Sequence, residues 1–451
     1  MKIIIVGCGK VGVTLAEQLN REGHDITVID TDGEKLRTIT VQIDIMGVEG
    51  NGAIYQTQMD AGIEEADLLI ATTTSDELNM LCCLIAKKAG NCQTIARVRN
   101  PEYSQEIQFL REELNLSMAI NPELAAAMEI SRLLKFPSVI KIDTFAKGRV
   151  EIMKMIVPDH SRLHNMRVHE VMPKLGCNVL ICAVERGHDV FIPGGNFQMK
   201  GQDKISFIAS EQEANNFFNK TGIGRNSIKT ALFIGGGKLT YYLAKMLENS
   251  DISIKIIEQD YKRCEDLSVK LPKAMIIHGD GSDQQLLLEE GIDSTDAFAA
   301  LTGFDEENIM LSLYAASLSD TKLITKINRI TFEDVINNLN LGSIIYPKLI
   351  TADSIVRYVR AMQNSLGSNV ETLYKIVANK VEALEFRVES DAAMIGIPLE
   401  KLSFKPNLLV GCINRKGTII IPKGKDMILA GDTVIIVTTQ AGLKDIKDIL
   451  Q

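Results

Sequence analysis

The chain has 451 residues, of which 45% are hydrophobic and 24% are charged, a composition typical of folded proteins and a length that favours several domains. Its net charge of −9 argues against a nucleic-acid-binding protein, because neutralising phosphates requires a basic face. The 8 cysteines are dispersed and no apolar run approaches the length of a membrane span, so we expect a cytoplasmic protein in a reducing compartment.

The first part of the chain alternates short β-branched runs with helical patterns. Strands are predicted at Lys2–Val6, Asp25–Asp30, Ile45–Val48, Leu68–Thr72 and Thr94–Val98. Helices are predicted near Val11–Glu22, Gly33–Thr40, Ala53–Ala61, Asp76–Ala89 and Pro122–Lys135. This alternation is typical of a parallel sheet covered by helices on both faces.

The next part of the chain has a different pattern, with glycine- and proline-containing turns between short strands. Four strands are predicted there, at Glu151–Val157, Val179–Glu185, Asp189–Ile192 and Lys204–Ala209. We interpret this region as a small α+β module.

An internal repeat with a spacing near 229 residues organises the whole sequence. KIIIVGCGKVG from Lys2 corresponds to KTALFIGGGKLT from Lys229, SDELNM from Ser75 to FDEENIM from Phe304, and ICAVERGHDVFIPGG from Ile181 to GCINRKGTIIIPKG from Gly411. Ordered matches of this kind indicate a duplication. We predict an α/β protein with two Rossmann-like, doubly wound parallel-sheet domains, each followed by a small α+β module. The predicted domains are 1–138, 139–222, 223–365 and 366–451.

The first repeat carries a dinucleotide-binding fingerprint. Gly7, Gly9 and Gly12 follow a strand and open a helix, and Asp30 ends the next strand. The first glycine permits a tight turn, the second a close approach of pyrophosphate and the third close helix packing. The helix N-terminus favours phosphate, and Asp30 favours a free ribose hydroxyl, hence NAD over NADP. The alternative is a Rossmann-like packing turn without ligand.

The second repeat alters the fingerprint. Gly235, Gly236 and Gly237 keep the turn, but Thr240 replaces the third glycine and Glu258 replaces the acid. A threonine fits if the helix rides higher on the sheet. The second pocket therefore binds the same ligand more weakly, binds another nucleotide or binds nothing.

Ligands of parallel sheets lie beyond the carboxyl ends of the strands. The candidates there are Asn51 after the third strand, Thr73 and Thr74 after the fourth and Arg97 after the fifth. Arg97 is suited to pairing with a phosphate. The alternatives are ordinary loop chemistry and, for Arg97, a surface ion pair.

No catalytic residues and no metal ligands are predicted. A dehydrogenase needs an acid or base beside the cofactor, and the small modules show no Tyr-x-x-x-Lys pair and no clear His/Asp partnership near a glycine-rich cleft. His160, His164 and His169 lie close in sequence, but the second repeat lacks all three. A solvated surface is the better interpretation of these histidines.

With VGCGKVG, Asp30, the GNG turn at 50–52 and the duplication, the chain resembles the nucleotide-gated domains that regulate potassium conductance, the RCK or KTN family. The resemblance covers essentially the whole chain. It implies a first pocket formed by Gly7, Cys8, Gly9, Lys10, Val11, Asp30, Thr73, Thr74 and Arg97. It implies a second pocket formed by Gly235, Gly236, Gly237, Lys238, Leu239, Glu258, Thr302, Gly303 and Lys326.

The same resemblance implies a regulatory subunit and not an enzyme. NAD(H), or ATP and ADP, would bind the pockets and gate an integral-membrane potassium-translocating subunit of the TrkH, TrkG or KtrB type. It also implies a homo-oligomer, a tetrameric ring at the inner face of the membrane. The rival hypotheses are an NAD-dependent oxidoreductase and a sensor of the same fold that serves a different channel or transporter.

Overall fold

The structure is a computed structural model. It describes residues 1–90, 92–145, 150–223, 227–329, 335–336, 339–364, 370–377, 380–390, 392, 394–440, 443 and 445–451. Within these ranges, no helix combines the length and the apolar character that crossing a membrane requires.

The first domain is a six-stranded α/β sheet. Its strands are β1 Lys2–Val6, β2 Asp25–Asp30, β3 Met46–Glu49, β4 Leu68–Ala71, β5 Gln93–Arg97 and β6 Met118–Ile120. Its helices are α1 Lys10–Arg21, α2 Gly33–Gln42, α3 Tyr55–Asp60, α4 Asp76–Ala89, α5 Pro101–Gln105, α6 Ile107–Glu113 and α7 Pro122–Lys135, with a 3-10 turn at Ile63–Glu65. The strands are parallel in the order β3-β2-β1-β4-β5-β6, so the strand order reverses between β1 and β4.

Burial explains why the central strands are continuous apolar runs. All of Ile3–Val6 and all of Leu68–Ala71 are buried, because helices cover both faces of a doubly wound sheet. Helix α4 begins where the Ser75 hydroxyl accepts a hydrogen bond from Leu78 N at 3.1 Å, which satisfies one of the unpaired N–H groups of the first turn.

The first small module is an antiparallel five-stranded sheet with two helices. Its strands are β7 Val139–Phe145, β8 Val150–Ile156, β9 Leu180–Arg186, β10 Asp189–Phe191 and β11 Lys204–Ala209, and its helices are α8 Val168–Leu175 and α9 Glu211–Thr221. The order is β10-β9-β11-β8-β7.

The prediction of four strands in this module is wrong, because β7 is a fifth strand. The buried residues of β7 are Val139, Ile142 and Phe145, three apart. Its pairing with β8 shifts register between Val139 and Lys141. A bulge of this kind breaks the period-two alternation by which a strand is recognised in sequence.

The second α/β domain repeats the first. Its strands are β12 Thr230–Ile234, β13 Ser253–Glu258, β14 Met275–His278, β15 Ala297–Ala300, β16 Lys322–Lys326 and β17 Ser343–Ile345. Its helices are α10 Lys238–Leu247, α11 Tyr261–Lys270, α12 Gln284–Glu289, α13 Asp305–Leu318 and α14 Pro347–Asn364. The sheet order β14-β13-β12-β15-β16-β17 reproduces that of the first copy, which confirms the predicted duplication of a Rossmann-like fold.

The second small module likewise repeats the first. Its strands are β18 Val370–Val377, β19 Val381–Arg387, β20 Leu408–Arg415, β21 Thr418–Ile420 and β22 Thr433–Thr438, with 3-10 turns at Leu399–Lys401 and Ile446–Ile449. Its order, β18-β19-β22-β20-β21, matches that of the first module strand by strand.

Like domains pair in space, so the chain forms two compact units. Unit 1 contains Met1–Ser131 and Lys229–Val356, and unit 2 contains Arg132–Ile228 and Arg357–Gln451. Unit 1 therefore holds both α/β domains and unit 2 both small modules.

In unit 2, the two modules share one apolar core, to which both contribute buried residues that include Phe145, Ile152, Val381, Ala383 and Val437. Burying apolar surface between two small modules stabilises both of them.

Candidate functional site

The glycine turn of the first copy has the geometry that the fingerprint requires. Gly7 has a φ of +105°, which a side chain disfavours. A Cβ at Gly12 would lie 1.9 Å from the Gly7 carbonyl oxygen, whereas a Cβ at Gly9 would meet nothing within 4 Å. Gly12 thus allows α1 to pack against the turn, and Gly9 faces open space at the N-terminus of α1. The first turn of α1 carries no acidic residue, which leaves the positive end of the helix dipole to an anion.

Asp30 lies at the end of β2 and holds the glycine turn. Its Oδ2 accepts a hydrogen bond from the backbone N of Cys8 at 2.5 Å, and its Oδ1 accepts one from Asp32 N at 2.9 Å. A carboxylate has about four acceptor sites, so Asp30 retains capacity for ribose hydroxyls. Burial, followed by the charge of Asp30, raises the pKa of the Cys8 thiol to about 12. Cys8 therefore contributes its backbone N–H, and its thiol is inert.

The ends of β4 and β5 are joined by Asn79, which the sequence interpretation missed. The fully buried Asn79 accepts at Oδ1 from Thr73 N and Thr73 Oγ1, both at 2.7 Å. Its Nδ2 donates to the carbonyl oxygens of Thr73 at 3.3 Å and Arg97 at 2.9 Å. The repeat contained a signal for this residue, because SDELNM and FDEENIM align Asn79 with Asn308.

Arg97 is 8% exposed, so the interpretation of Arg97 as a surface ion pair is wrong. Its Nη2 donates to the Thr73 carbonyl oxygen, and its Nε is buried without a hydrogen-bond partner. Burial, and next the charge of Arg99, lowers the pKa of Arg97. A buried guanidinium with an unused donor is suited to an anionic ligand, because pairing with an anion would offset part of the cost of its burial.

Asp76 was also missed as a framework residue. Its Oδ2 accepts from the backbone N of Arg99 at 2.9 Å and of Asn100 at 2.7 Å. These contacts hold the segment after β5 against the start of α4. Asp305 does the same in the second copy, where it accepts from Asn328 N and Arg329 N, both at 2.8 Å.

The remaining first-copy candidates lie at the periphery. Lys10, Asn51 and Thr74 are exposed, and Val11 is buried. Asn51 Oδ1 accepts from Ala53 N at 2.9 Å, a local turn contact. A Cβ at Gly52 would lie 2.3 Å from Val6 Cγ1, so the last glycine of the GNG turn permits close packing on β1.

In the second copy, Thr240 changes the contact between helix and turn. Gly235 keeps a positive φ of +96°, and a Cβ at Gly237 would meet nothing within 4 Å. The Thr240 hydroxyl donates to the Gly235 carbonyl oxygen at 2.5 Å. A side chain fits here although it would clash at Gly12, so the helix and the turn are spaced differently in the two copies. Leu239 is buried beside Thr240, and Lys238 is half-buried.

Glu258 reproduces the contacts of Asp30. Its Oε2 accepts from Gly236 N at 2.6 Å, and its Oε1 accepts from Asp260 N at 2.8 Å. The second turn has a further contact, because Arg263 Nε donates to the Gly236 carbonyl oxygen at 2.7 Å. The second glycine turn is therefore held by hydrogen bonds to both the N–H and the carbonyl oxygen of Gly236.

The strand ends of the second copy follow the same plan as those of the first. Asn308 Oδ1 accepts from Thr302 N at 2.9 Å, and its Nδ2 donates to the Lys326 carbonyl oxygen at 2.9 Å. Burial lowers the pKa of Lys326, and its Nζ donates to the Leu301 carbonyl oxygen at 3.2 Å. Gly303, the residue after Thr302, borders open space, since a Cβ there would meet nothing within 4 Å.

Two of the three clustered histidines of the first module, His164 and His169, have structural contacts. His164 Nδ1 accepts from Gly201 N at 2.9 Å, and His169 Nδ1 lies 2.7 Å from the Gly195 carbonyl oxygen. Each ring is thus engaged with the backbone of a neighbouring loop.

Two glycine turns at helix N-termini, each held by an acid at the end of the neighbouring strand, define a protein with a duplicated dinucleotide-binding fold. The sequence model described as the TrkA-N domain matches residues 3–122 and 231–347, and the one described as the TrkA-C domain matches residues 383–451. The chain belongs to the TrkA family.

The sequence of the chain matches those of named relatives over almost their full length. The chain is 32% identical to the Trk system potassium uptake protein TrkA of Haemophilus influenzae, over 97% of this chain and 95% of that protein. It is 30% identical to the Trk system potassium uptake protein TrkA homolog 2 of Methanosarcina mazei, over 100% of both. The expectation of a protein that is not an enzyme agrees with these names.

Solved structures share the fold at low sequence identity. The GsuK RCK domain superposes with a TM-score of 0.63 at 16% identity, covering 97% of this chain and 92% of that one. A GsuK channel bound to NAD superposes with a TM-score of 0.62 at 16% identity, covering 97% and 77%. These likenesses confirm the RCK-type architecture.

Proposed function

We propose that the chain is a nucleotide-binding regulatory subunit that gates a potassium-translocating membrane protein of the TrkH, TrkG or KtrB type. The observation that carries the proposal is the first glycine turn, with open space at Gly9, a helix N-terminus without acids and Asp30 at the adjacent strand end. The full-length relatives are named as potassium uptake proteins, which supports potassium as the transported ion.

The ligands we propose are NAD(H), ATP and ADP. One GsuK structure is described as bound to NAD and another, with a TM-score of 0.51 at 13% identity, as bound to ADP. In this chain, the residues proposed to bind are Gly7, Cys8, Gly9, Lys10, Val11, Asp30, Asn51, Thr73, Thr74 and Arg97 in the first pocket and Gly235, Gly236, Gly237, Lys238, Leu239, Glu258, Thr302 and Lys326 in the second. The buried donor of Arg97 would meet a phosphate.

Regulation requires that a ligand bind two states of the protein with different affinity. We propose that a homotetrameric ring at the inner face of the membrane provides those states. Within each chain the functional segments are proposed to be 1–138, 139–222, 223–365 and 366–451, with nucleotide binding in the first and third.

Calorimetric titration of the full-length protein with NADH, NAD, ATP and ADP tests the proposal. Asp30→Ala is expected to abolish the binding step of the first pocket, because it removes the ribose acceptor and releases Cys8 N. Glu258→Ala is expected to abolish any step of the second pocket. Asp25→Ala is a matched control, since Asp25 is exposed at the opposite end of the same strand. Absence of binding by all four nucleotides would refute the proposal.

Potassium flux through the membrane subunit, reconstituted together with this chain, tests the gating step. Nucleotides that bind the wild-type chain should change the flux, and Asp30→Ala should remove that change while Asp25→Ala preserves it.

A further inference from the structure

One side chain of the second α/β domain reaches into the first. Tyr242 lies on α10, four residues after Lys238, with which that helix begins at the second glycine turn. It is 7% exposed, and its ring is buried within unit 1. All of the described hydrogen-bond partners of its hydroxyl belong to the first copy.

The Tyr242 hydroxyl lies within hydrogen-bonding distance of three groups of the first copy. It donates to the Arg99 carbonyl oxygen at 3.0 Å, accepts from Asn121 Nδ2 at 2.9 Å and lies 3.0 Å from Ser104 Oγ. Asn121 Nδ2 also donates to Ser104 Oγ at 3.0 Å. A buried hydroxyl with this many partners fixes the groups around it, because each would otherwise lose a hydrogen bond away from water.

The groups so fixed continue directly into the first pocket. Arg99 N donates to Asp76 at 2.9 Å, and two residues earlier the Arg97 carbonyl accepts from Asn79 at 2.9 Å. Asn79 in turn holds Thr73. A continuous chain of hydrogen bonds and backbone therefore links α10 to Arg97 and Thr73.

Glu123 of the first copy is placed to act on both copies in the same region. Arg99 Nε lies 3.2 Å from Glu123 Oε1 at the start of α7. Burial lowers the pKa of Lys326, and Glu123 is the leading opposing influence. Glu123 therefore lies near the basic strand-end residue of the second pocket as well as beside Arg99.

The equivalent position on helix α1 of the first copy makes a different contact. Thr14 occupies the position of Tyr242 in the first copy, and its hydroxyl donates at 2.9 Å to the carbonyl oxygen of Lys10 in its own helix. The long reach of the tyrosine is thus specific to α10.

We infer that Tyr242 is a positioning residue that ties the helix of the second glycine turn to the phosphate side of the first pocket, so that the geometry of one turn sets nucleotide affinity at the other. This inference rests on the proposed function, because it concerns affinity at the Asp30 pocket. Among the described residues, the Tyr242 hydroxyl bonds Arg99, Ser104 and Asn121 and none of the residues proposed to bind nucleotide in the first copy, so its effect there is indirect.

The test compares the full-length wild type with Tyr242→Phe and Tyr241→Phe. Tyr241 is the matched control because it is 8% exposed on the same helix, with its ring centroid 5.5 Å from that of Tyr242. Among the described residues, its hydroxyl makes no hydrogen bond to the first copy.

Tyr242→Phe is expected to weaken the Asp30-dependent binding of NADH or ADP by about tenfold, the effect of one lost buried hydrogen bond. Tyr241→Phe should bind as the wild type. In the ligand-free protein, Tyr242→Phe should also speed amide exchange across 97–104 relative to Tyr241→Phe. Any binding step that depends on Glu258 should change less than the Asp30-dependent step, whereas a general loss of stability would weaken both.

Two outcomes separate this inference from the proposed function. Equal affinities and equal exchange in the two variants would overturn the role of Tyr242 while leaving nucleotide binding intact. If the wild type binds no nucleotide, the proposed function fails, and an unchanged exchange rate in Tyr242→Phe would then overturn the positioning role as well.

Discussion

In the first α/β domain, helix α1 packs against the glycine turn with no room for a side chain at Gly12, whereas in the second the same position holds Thr240, hydrogen-bonded to the turn. The second turn has an additional restraint from Arg263. Behind the turns the two copies are alike, since Asn79 and Asn308 hold the strand ends in the same way. After duplication, the glycine turns have diverged while the framework behind them has been kept.

This comparison implies that the same substitution should have different consequences in the two copies. The largest difference is expected at the third glycine position. Gly12→Thr would place a Cβ 1.9 Å from a backbone oxygen, and overpacking of this kind costs about 1–3 kcal/mol. We expect first-pocket affinity to fall by up to about a hundredfold, as measured by calorimetric titration.

The reverse change, Thr240→Gly, is the matched control for Gly12→Thr. It removes one hydrogen bond and creates no clash, so its effect on stability should stay below about 1.5 kcal/mol. Equal losses of stability in Gly12→Thr and Thr240→Gly would show that the helix and the turn are packed alike in the two copies, contrary to the comparison.

The next effect concerns the shared framework. Asn79→Ala would leave buried groups of Thr73 and Arg97 without partners, which costs about 1–3 kcal/mol. Asn308→Ala should cost less, because the Thr302 hydroxyl bonds Glu307 at 3.0 Å, whereas the Thr73 hydroxyl bonds Asn79 itself at 2.7 Å. Urea unfolding measures both.

Nucleotide titration adds a second criterion for the same pair of variants. Asn79→Ala should also lower affinity in the first pocket, since Asn79 positions Arg97. If Asn308→Ala were the more damaging variant in unfolding, the assignment of the stronger junction to the first copy would be wrong.

Much of the fold was predictable because its signals are local. The strands Lys2–Val6 and Asp25–Asp30 and the helix Asp76–Ala89 have the predicted bounds, since apolar runs, glycines and caps mark them in sequence. Strand β6, Met118–Ile120, is only three residues long and has no period to detect. Strand β7 escaped because its bulge breaks the alternation.

The candidate site was predictable where one residue type has one physical reason. Gly7, Gly12 and Asp30 are examples, because turn geometry and helix packing constrain them. Tyr242 was not predictable, because its partner Arg99 is 143 residues away. Only the packing of the two copies within unit 1 brings those residues together.

The smallest expected effect compares the first residues of two equivalent strands. Gln93 opens β5 and accepts from Ser117 Oγ, whereas Lys322 opens β16 and donates to Ser343 Oγ at 3.0 Å. Burial lowers the pKa of Lys322 to about 7. An unfolded lysine has a pKa of about 10.4, so between these values the unfolded chain binds more protons and stability rises with pH.

Lys322→Gln installs the residue of the first copy and removes this dependence. The variant should be the more stable at and below about pH 7, with a thermal midpoint raised by about 2–4 °C, and the advantage should vanish as the pH approaches about 10.4. Calorimetric melting across that range measures it, with the exposed Lys262→Gln as control. If the thermal midpoints of the wild type and Lys322→Gln differ by the same amount at every pH, Lys322 remains charged when buried. The second sheet would then tolerate, at the start of the inner strand β16, a charge for which the first copy has a neutral amide.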